Sequence, residues 1–134
     1  MKKIEHLGIA VKDLDLANKT FAKIFGKTHY KTEEVELEGV KTSFFSIGES
    51  KIELLESKNL DNPIAKFIKK SGEGMHHIAF QVDDIEKEME RLKENGFELI
   101  RDHYRKGADN KLICFIHPKD TNGVLIELCQ EIKP

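Results

Sequence analysis

A nine-residue pattern occurs twice in this chain, 71 positions apart. His6-Leu7-Gly8-Ile9-Ala10-Val11-Lys12-Asp13-Leu14 lies over His77-Ile78-Ala79-Phe80-Gln81-Val82-Asp83-Asp84-Ile85. The shared text is histidine, apolar, small, apolar, any, valine, any, aspartate, apolar. A repeat of that period signals a duplicated supersecondary unit, so it constrains the architecture before any single element is assigned.

The likeness extends beyond the pattern itself. Both copies open with a short apolar run, Ile4 to Val11 and Met75 to Val82, and continue into helix-period text. Leu14, Ala17, Phe21 and Ile24 recur at spacings of three and four in the first copy, and Ile85, Met89 and Leu92 in the second. Gly26 and Gly96 stop the two helices. Three strand-like runs come next in each half. The first set is roughly Thr28–Glu36, Val40–Ile47 and Lys51–Glu56; the second is Glu98–His103, Leu112–His117 and Val124–Cys129. Breaks fall at Glu38-Gly39, Gly48-Glu49-Ser50, Lys106–Asn110 and Pro118–Gly123. Each half therefore reads β-α-β-β-β, over about 1–58 and 74–134, with a connecting helix at about 62–71. That helix has Asp61 or Asn62 as cap, Pro63 in its first position and Gly72 at its end.

The expected fold class is α+β: two tandem βαβββ modules forming a curved mixed sheet around a cavity. One module alone covers only one sheet face with its helix, so the other face needs a second module or a second chain. At 134 residues the chain reads as a single domain. Its residues are 39% hydrophobic and 34% charged, net charge is −2, and the signs are mixed along the chain. Nothing in that balance favours nucleic acid or a membrane surface as partner. No apolar run is long enough to span a bilayer, and Met1–His6 has no apolar leader core. Cys114 and Cys129 sit inside apolar runs and read as buried, reduced thiols, which points to a cytoplasmic protein.

The repeat also places its polar residues in matched positions. Lys51-Ile52-Glu53-Leu54-Leu55 lies over Leu125-Ile126-Glu127-Leu128-Cys129, so each last strand carries a glutamate among apolar residues. A carboxylate there is costly unless it is paired or bound to metal. Neutral histidine and carboxylate together suit divalent first-row ions. His6, Glu53, His77 and Glu127 are thus candidate ligands of one ion, with coordination positions left for water or substrate. His76 points to the other face by strand alternation and reads as structural or as a support behind the candidate ligands. Glu56 reads as solvent-facing or as the end of its strand. His29, His103 and His117 have no counterpart in the other half and read as structure or pocket lining.

These residues carry a resemblance. The chain resembles the vicinal-oxygen-chelate superfamily and, within it, the methylmalonyl-CoA epimerases. The segments concerned are Ile4–Val11, Ser50–Glu56, Pro63–Ile68, Gly74–Phe80 and Phe115–Asp120 running into Gly123–Leu128. The resemblance implies His6, Glu53, His77 and Glu127 as ligands of a divalent metal, with Co2+ expected and Mn2+, Ni2+ or Zn2+ as alternatives. It implies an acyl-CoA substrate, a homodimer, and proton abstraction and return at carbon 2, with Glu53 and Glu127 as acid and base and Glu127 the stronger candidate base. Some members of the family have glutamine at the position of Glu53. A bacterial member carries a glutamate proposed as base where this chain has Thr42, so that base is missing here unless Glu36 or Glu38 reaches in. Arg101, Arg105, Lys106, Lys111 and Lys119 are candidates to meet CoA phosphates or to be a solvated surface, and the Gly107–Asn110 loop is a candidate lid. The competing readings are a glyoxalase I using a hemithioacetal and a metal-free binding protein of the same fold. A ring-cleaving dioxygenase is disfavoured because Glu53 makes one ligand too many.

Overall fold

The computed structural model describes residues 1–36 and 38–133. Its elements run β1 (Lys3–Val11), α1 (Leu14–Phe25), β2 (Lys31–Val35), β3 (Val40–Ile47), β4 (Ser50–Ser57), α2 (Pro63–Ser71), β5 (Gly74–Gln81), α3 (Ile85–Glu94), β6 (Arg105–Gly107), β7 (Lys111–Ile116) and β8 (Ile126–Glu131). The order β-α-β-β-β occurs twice, as the repeat requires. The chain divides into two compact units. One holds Met1–Glu5 and the residues from His77 onward; the other is His6–His76.

The aspartate that closes each copy of the repeat caps a helix. Asp13 accepts a hydrogen bond from the Leu16 amide at 3.1 Å, and Asp84 accepts one from the Lys87 amide at 3.1 Å. A carboxylate there satisfies an orphaned N–H and faces the positive end of the helix dipole. The neighbouring strand supplies a second acceptor in each unit. Glu56 takes the Leu14 amide at 3.0 Å, and Gln130 takes the Ile85 amide at 2.8 Å. Glu56, expected from sequence to face solvent or end its strand, in fact ties the start of α1 to the sheet.

In the unit His6–His76 the strands lie in the order β2-β3-β4-β1. β1 is parallel to β4, and β3 is antiparallel to both its neighbours. α1 covers one face, where Val11, Leu14, Phe45 and Leu54 pack with Phe21 and Phe25. The other face carries Ala10, Val40 and Leu55, which pack against Ile64 and Phe67 of α2. Asn62 caps α2 as foreseen, and it does more. Its Oδ1 accepts from the Ala65 amide at 2.9 Å and from the Ser57 hydroxyl at 2.9 Å, while its Nδ2 donates to the carbonyls of Glu38 and Gly39. One side chain thus joins the helix start, the end of β4 and the β2–β3 turn.

The second unit repeats the plan in the order β5-β8-β7-β6, with β5 parallel to β8 and β7 antiparallel to β8 and β6. α3 covers the face bearing Val82, Cys114, Ile116 and Leu128 through its own Ile85, Met89 and Leu92. The opposite face holds Ala79, Ile113, Phe115 and Cys129.

One expected strand is displaced. Within Glu98–His103 the pairing shrinks to an isolated bridge of Leu99 to Ile116, flanked by hydrogen bonds from the Ile100 amide to the Phe115 carbonyl and from the His117 amide to the Glu98 carbonyl. The strand forms instead at Arg105–Gly107, inside a stretch read as loop. Arg101, Asp102 and His103 are all exposed and have no apolar alternation to hold a strand. Gly107 does pair, because a Cβ there would meet Ile113 Cδ1 at 2.5 Å. The turn beyond it holds Asp109 and Asn110 in the left-handed region, at φ 60° and 53°. Two other strands are shifted at their ends: β2 starts at Lys31 rather than Thr28, and β8 runs Ile126–Glu131.

The four bonds of Asn62 give a test. Asn62→Ala is expected to cost about 2–3 kcal/mol, seen as a lower urea midpoint with an unchanged slope. Asn62→Asp keeps the acceptor and should lose only part of that.

Candidate metal centre

Each unit sets a histidine against a glutamate in the middle of an apolar sheet face. In the unit His6–His76, His6 Nδ1 lies 3.0 Å from Glu53 Oε2. In the other unit, His77 Nε2 lies 3.3 Å from Glu127 Oε1. The four side chains are only 4–7% exposed.

Strand pairing explains the placement. Glu53 lies beside Gly8 across the parallel β4–β1 pair, and Glu127 beside Ala79 across the parallel β8–β5 pair. The small residue of the repeat thus leaves room next to each carboxylate. His6 is two residues before Gly8 and His77 two before Ala79, so each histidine shares its glutamate's face. Cross-strand neighbours complete the frame. Phe44 pairs with Glu53 and Phe115 with Glu127, and the Phe115 ring stands edge-on to His77 at 6.0 Å and 85°.

A buried carboxylate needs a compensating partner, and the adjacent imidazole supplies one. A neutral imidazole nitrogen beside a carboxylate oxygen, shielded from water, is also the donor set that first-row divalent ions take. The residues therefore fit a metal. The structure brings His6 to Glu53 and His77 to Glu127, as the repeat requires.

The remaining histidines lie apart from these pairs. His76 turns to the other face of β5 and packs edge-on against Phe67 at 5.1 Å, and burial pulls its pKa below the usual histidine value. His29 stacks edge-on with Phe45 at 5.9 Å. His117 Nδ1 accepts from the Lys119 amide, and His103 is exposed. Thr42 is buried on the Glu53 face of β3, while Glu36 and Glu38 lie in the β2–β3 turn.

The basic residues separate into two kinds. Lys119 is bound to Glu98 at 2.8 Å, a pairing that lowers the glutamate's pKa and raises the lysine's. Lys111 is buried, with carboxylate oxygens of Asp109 at 3.7 Å and Glu131 at 4.0 Å. Arg101 and Lys106 stay exposed. Three features escape a reading of the sequence: the burial of Lys111, the burial of Glu5, and the position of Gln81 on the His77 face. Strand alternation counted from His77 is the signal that finds the last.

Comparison with known proteins places the fold. Residues 5–115 match the Glyoxalase/Bleomycin resistance protein/Dioxygenase superfamily. The ethylmalonyl-CoA/methylmalonyl-CoA epimerase of Cereibacter sphaeroides is 37% identical over 96% of this chain and 97% of its own. The chain belongs to the methylmalonyl-CoA epimerase branch of that superfamily. The mitochondrial methylmalonyl-CoA epimerase of Homo sapiens is 36% identical over 96% of this chain and 73% of its own. A Streptomyces coelicolor methylmalonyl-CoA epimerase in complex with 2-nitronate-propionyl-CoA superposes with a TM-score of 0.94 at 34% identity, covering 100% of this chain and 99% of that one. The two-module βαβββ fold expected from the repeat is thus the fold of these epimerases, and none of the three is a glyoxalase I or a metal-free binding protein. Among the described residues, no helix is long and apolar enough to cross a membrane.

Both cysteines are buried thiols outside any disulfide, as expected. Burial, with the charge of Glu127 second, pushes the Cys114 thiol up to about 12. At pH 8 Cys114 should therefore react with a thiol reagent roughly a thousandfold more slowly in the native protein than in denaturant. Stability responds to the same shift. The unfolded thiol ionises near 9.0 and the folded one near 12, so this contribution is intact below pH 9 and is lost as the pH climbs through that window. Urea midpoints measured from about pH 8 to 10.5 check it.

Proposed function

We propose that this protein is a methylmalonyl-CoA epimerase, interconverting the two epimers of an acyl-CoA by moving the proton at carbon 2. The observation that carries the reading is full-length similarity to proteins of that name, in a chain whose two units each hold a buried histidine–glutamate pair. His6, Glu53, His77 and Glu127 would hold one divalent ion, with Co2+ the expected metal and Mn2+, Ni2+ or Zn2+ as alternatives.

The chemistry asks for what these residues offer. Carbon 2 lies between a thioester and a carboxylate, and losing its proton puts negative charge on the thioester oxygen. A divalent cation supplies Lewis-acid stabilisation of that charge when bound. Inversion needs a base on one face of the carbon and an acid on the other. The duplication supplies two carboxylates in equivalent settings. Glu127 is the stronger candidate base, keeping the proton it removes, and Glu53 the partner that delivers a second proton on the opposite face. Each carboxylate has two oxygens, so one would hold the ion while the second carries the proton. The apolar surroundings, Phe44 beside Glu53 and Phe115 beside Glu127, exclude water and strengthen the electrostatics of the proton transfer. Thr42 carries no carboxylate, so a third acid–base group on β3 is not used. A cytoplasmic homodimer completes the reading; reduced, buried thiols support the compartment.

The test is deuterium wash-in at carbon 2 of methylmalonyl-CoA in heavy water. Exchange with inversion is expected for the metal-loaded protein, lost after chelation and restored by cobalt. Glu127→Gln should lower it about 10²–10⁴-fold. An absence of exchange with metal bound overturns the reading.

A further inference from the structure

Three buried side-chain oxygens among the described residues meet no hydrogen-bond donor: Asn18 Oδ1, Ser43 Oγ and Gln81 Oε1. Asn18 lies on α1. Ser43 pairs with Leu54 and so shares the sheet face that α1 covers. Gln81 is different. It stands four residues after His77 on β5 and pairs with Cys129, two residues after Glu127 on β8. It therefore projects from the face that carries His77 and Glu127, about 7 Å along the strand from Ala79, the direct partner of Glu127. Folding leaves this acceptor dry and unmatched, which is expensive unless something else brings a donor.

The epimerase reading, on which this inference rests, limits what that donor is. The carboxylate, the thioester carbonyl and the phosphates of an acyl-CoA are all acceptors. The N–H donors nearest the reacting carbon are the amides of the thiol arm, the first of them a sulfur and two methylenes beyond the thioester carbonyl. We infer that Gln81 accepts a hydrogen bond from that amide and so positions the arm of the substrate. The repeat agrees with a role on one side only. Gln81 corresponds to Ala10 in the first copy, and a substrate has one arm. Ala10 is fully buried and packs with Leu55 and Ile64, so the first unit keeps an apolar contact where the second keeps an acceptor.

The experiment compares two small thioesters of methylmalonate on the metal-loaded protein. One is the N-acetylcysteamine thioester, which has the first amide. The other is an alkyl thioester of equal length that lacks it. Wild-type protein should exchange the amide-bearing substrate with kcat/KM about tenfold above the alkyl one. Gln81→Met should remove the preference and leave the alkyl thioester within about twofold of wild type. A readout independent of activity accompanies it: in the metal-free protein, Gln81→Met removes an unmatched acceptor and should raise Tm by roughly 4 °C. A preference retained by Gln81→Met, an equal loss on both thioesters, or a lowered Tm overturns the inference while the epimerase reading stands. Failure of wild-type protein to exchange methylmalonyl-CoA itself overturns that reading and this inference together.

Discussion

A carboxylate held dry beside an imidazole is the constraint the rest of this fold serves. Glu53 in β4 and Glu127 near the start of β8 have apolar neighbours on either side. Neither is tolerable there without its histidine, at 3.0 Å in one unit and 3.3 Å in the other. Holding that geometry takes a glycine or alanine on the adjacent strand, a phenylalanine across the antiparallel pair, and a parallel register that fixes which residues face each other. The helices are placed accordingly. α1 and α3 pack on the far faces, so the cores built on Phe45, Leu54, Leu128 and Met89 lie behind the histidine–glutamate pairs.

Duplication makes the two pairs equivalent in kind but leaves each free to diverge around its histidine and glutamate. The divergence is informative. Equivalent positions hold Ala10 and Gln81, Glu56 and Gln130, Lys51 and Leu125. In the second of these both side chains accept the first amide of their helix, so the change conserves the function. In the first it does not: one module closes its face with a methyl group and the other with an amide whose oxygen is unmatched. An inversion catalyst has the same formal need, since its acid and base act on opposite faces of one carbon while the substrate's long arm departs in one direction. Near-symmetric histidine–glutamate pairs with asymmetric surroundings meet both demands.

Much of this was legible in the sequence because duplication writes each signal twice. The modules, the helices and the pairing of each histidine with its glutamate come from text that recurs at a nearly constant offset. Features without a counterpart in the other half were not legible. β6 exists because Gly107 lets Ile113 approach, a close contact that no periodicity announces. Lys111 reads as a surface cation, yet it is buried at the start of β7 facing Glu131, and only the register of that pair says so. Glu56 looked idle because its partner, the Leu14 amide, is 42 residues away. Gln81 is an ordinary strand residue until its amide oxygen proves to have no partner.

In the proposed epimerase site, the histidine–glutamate pairs from the two copies of the repeat serve a single ion. Titration of cobalt into the metal-free protein, monitored by calorimetry and visible absorption, tests it directly. The account predicts one ion per chain, and loss of tight binding whether the change is His6→Ala in the first half or His77→Ala in the second. Two ions per chain, or a variant of either half that still binds with the wild-type affinity, would contradict it.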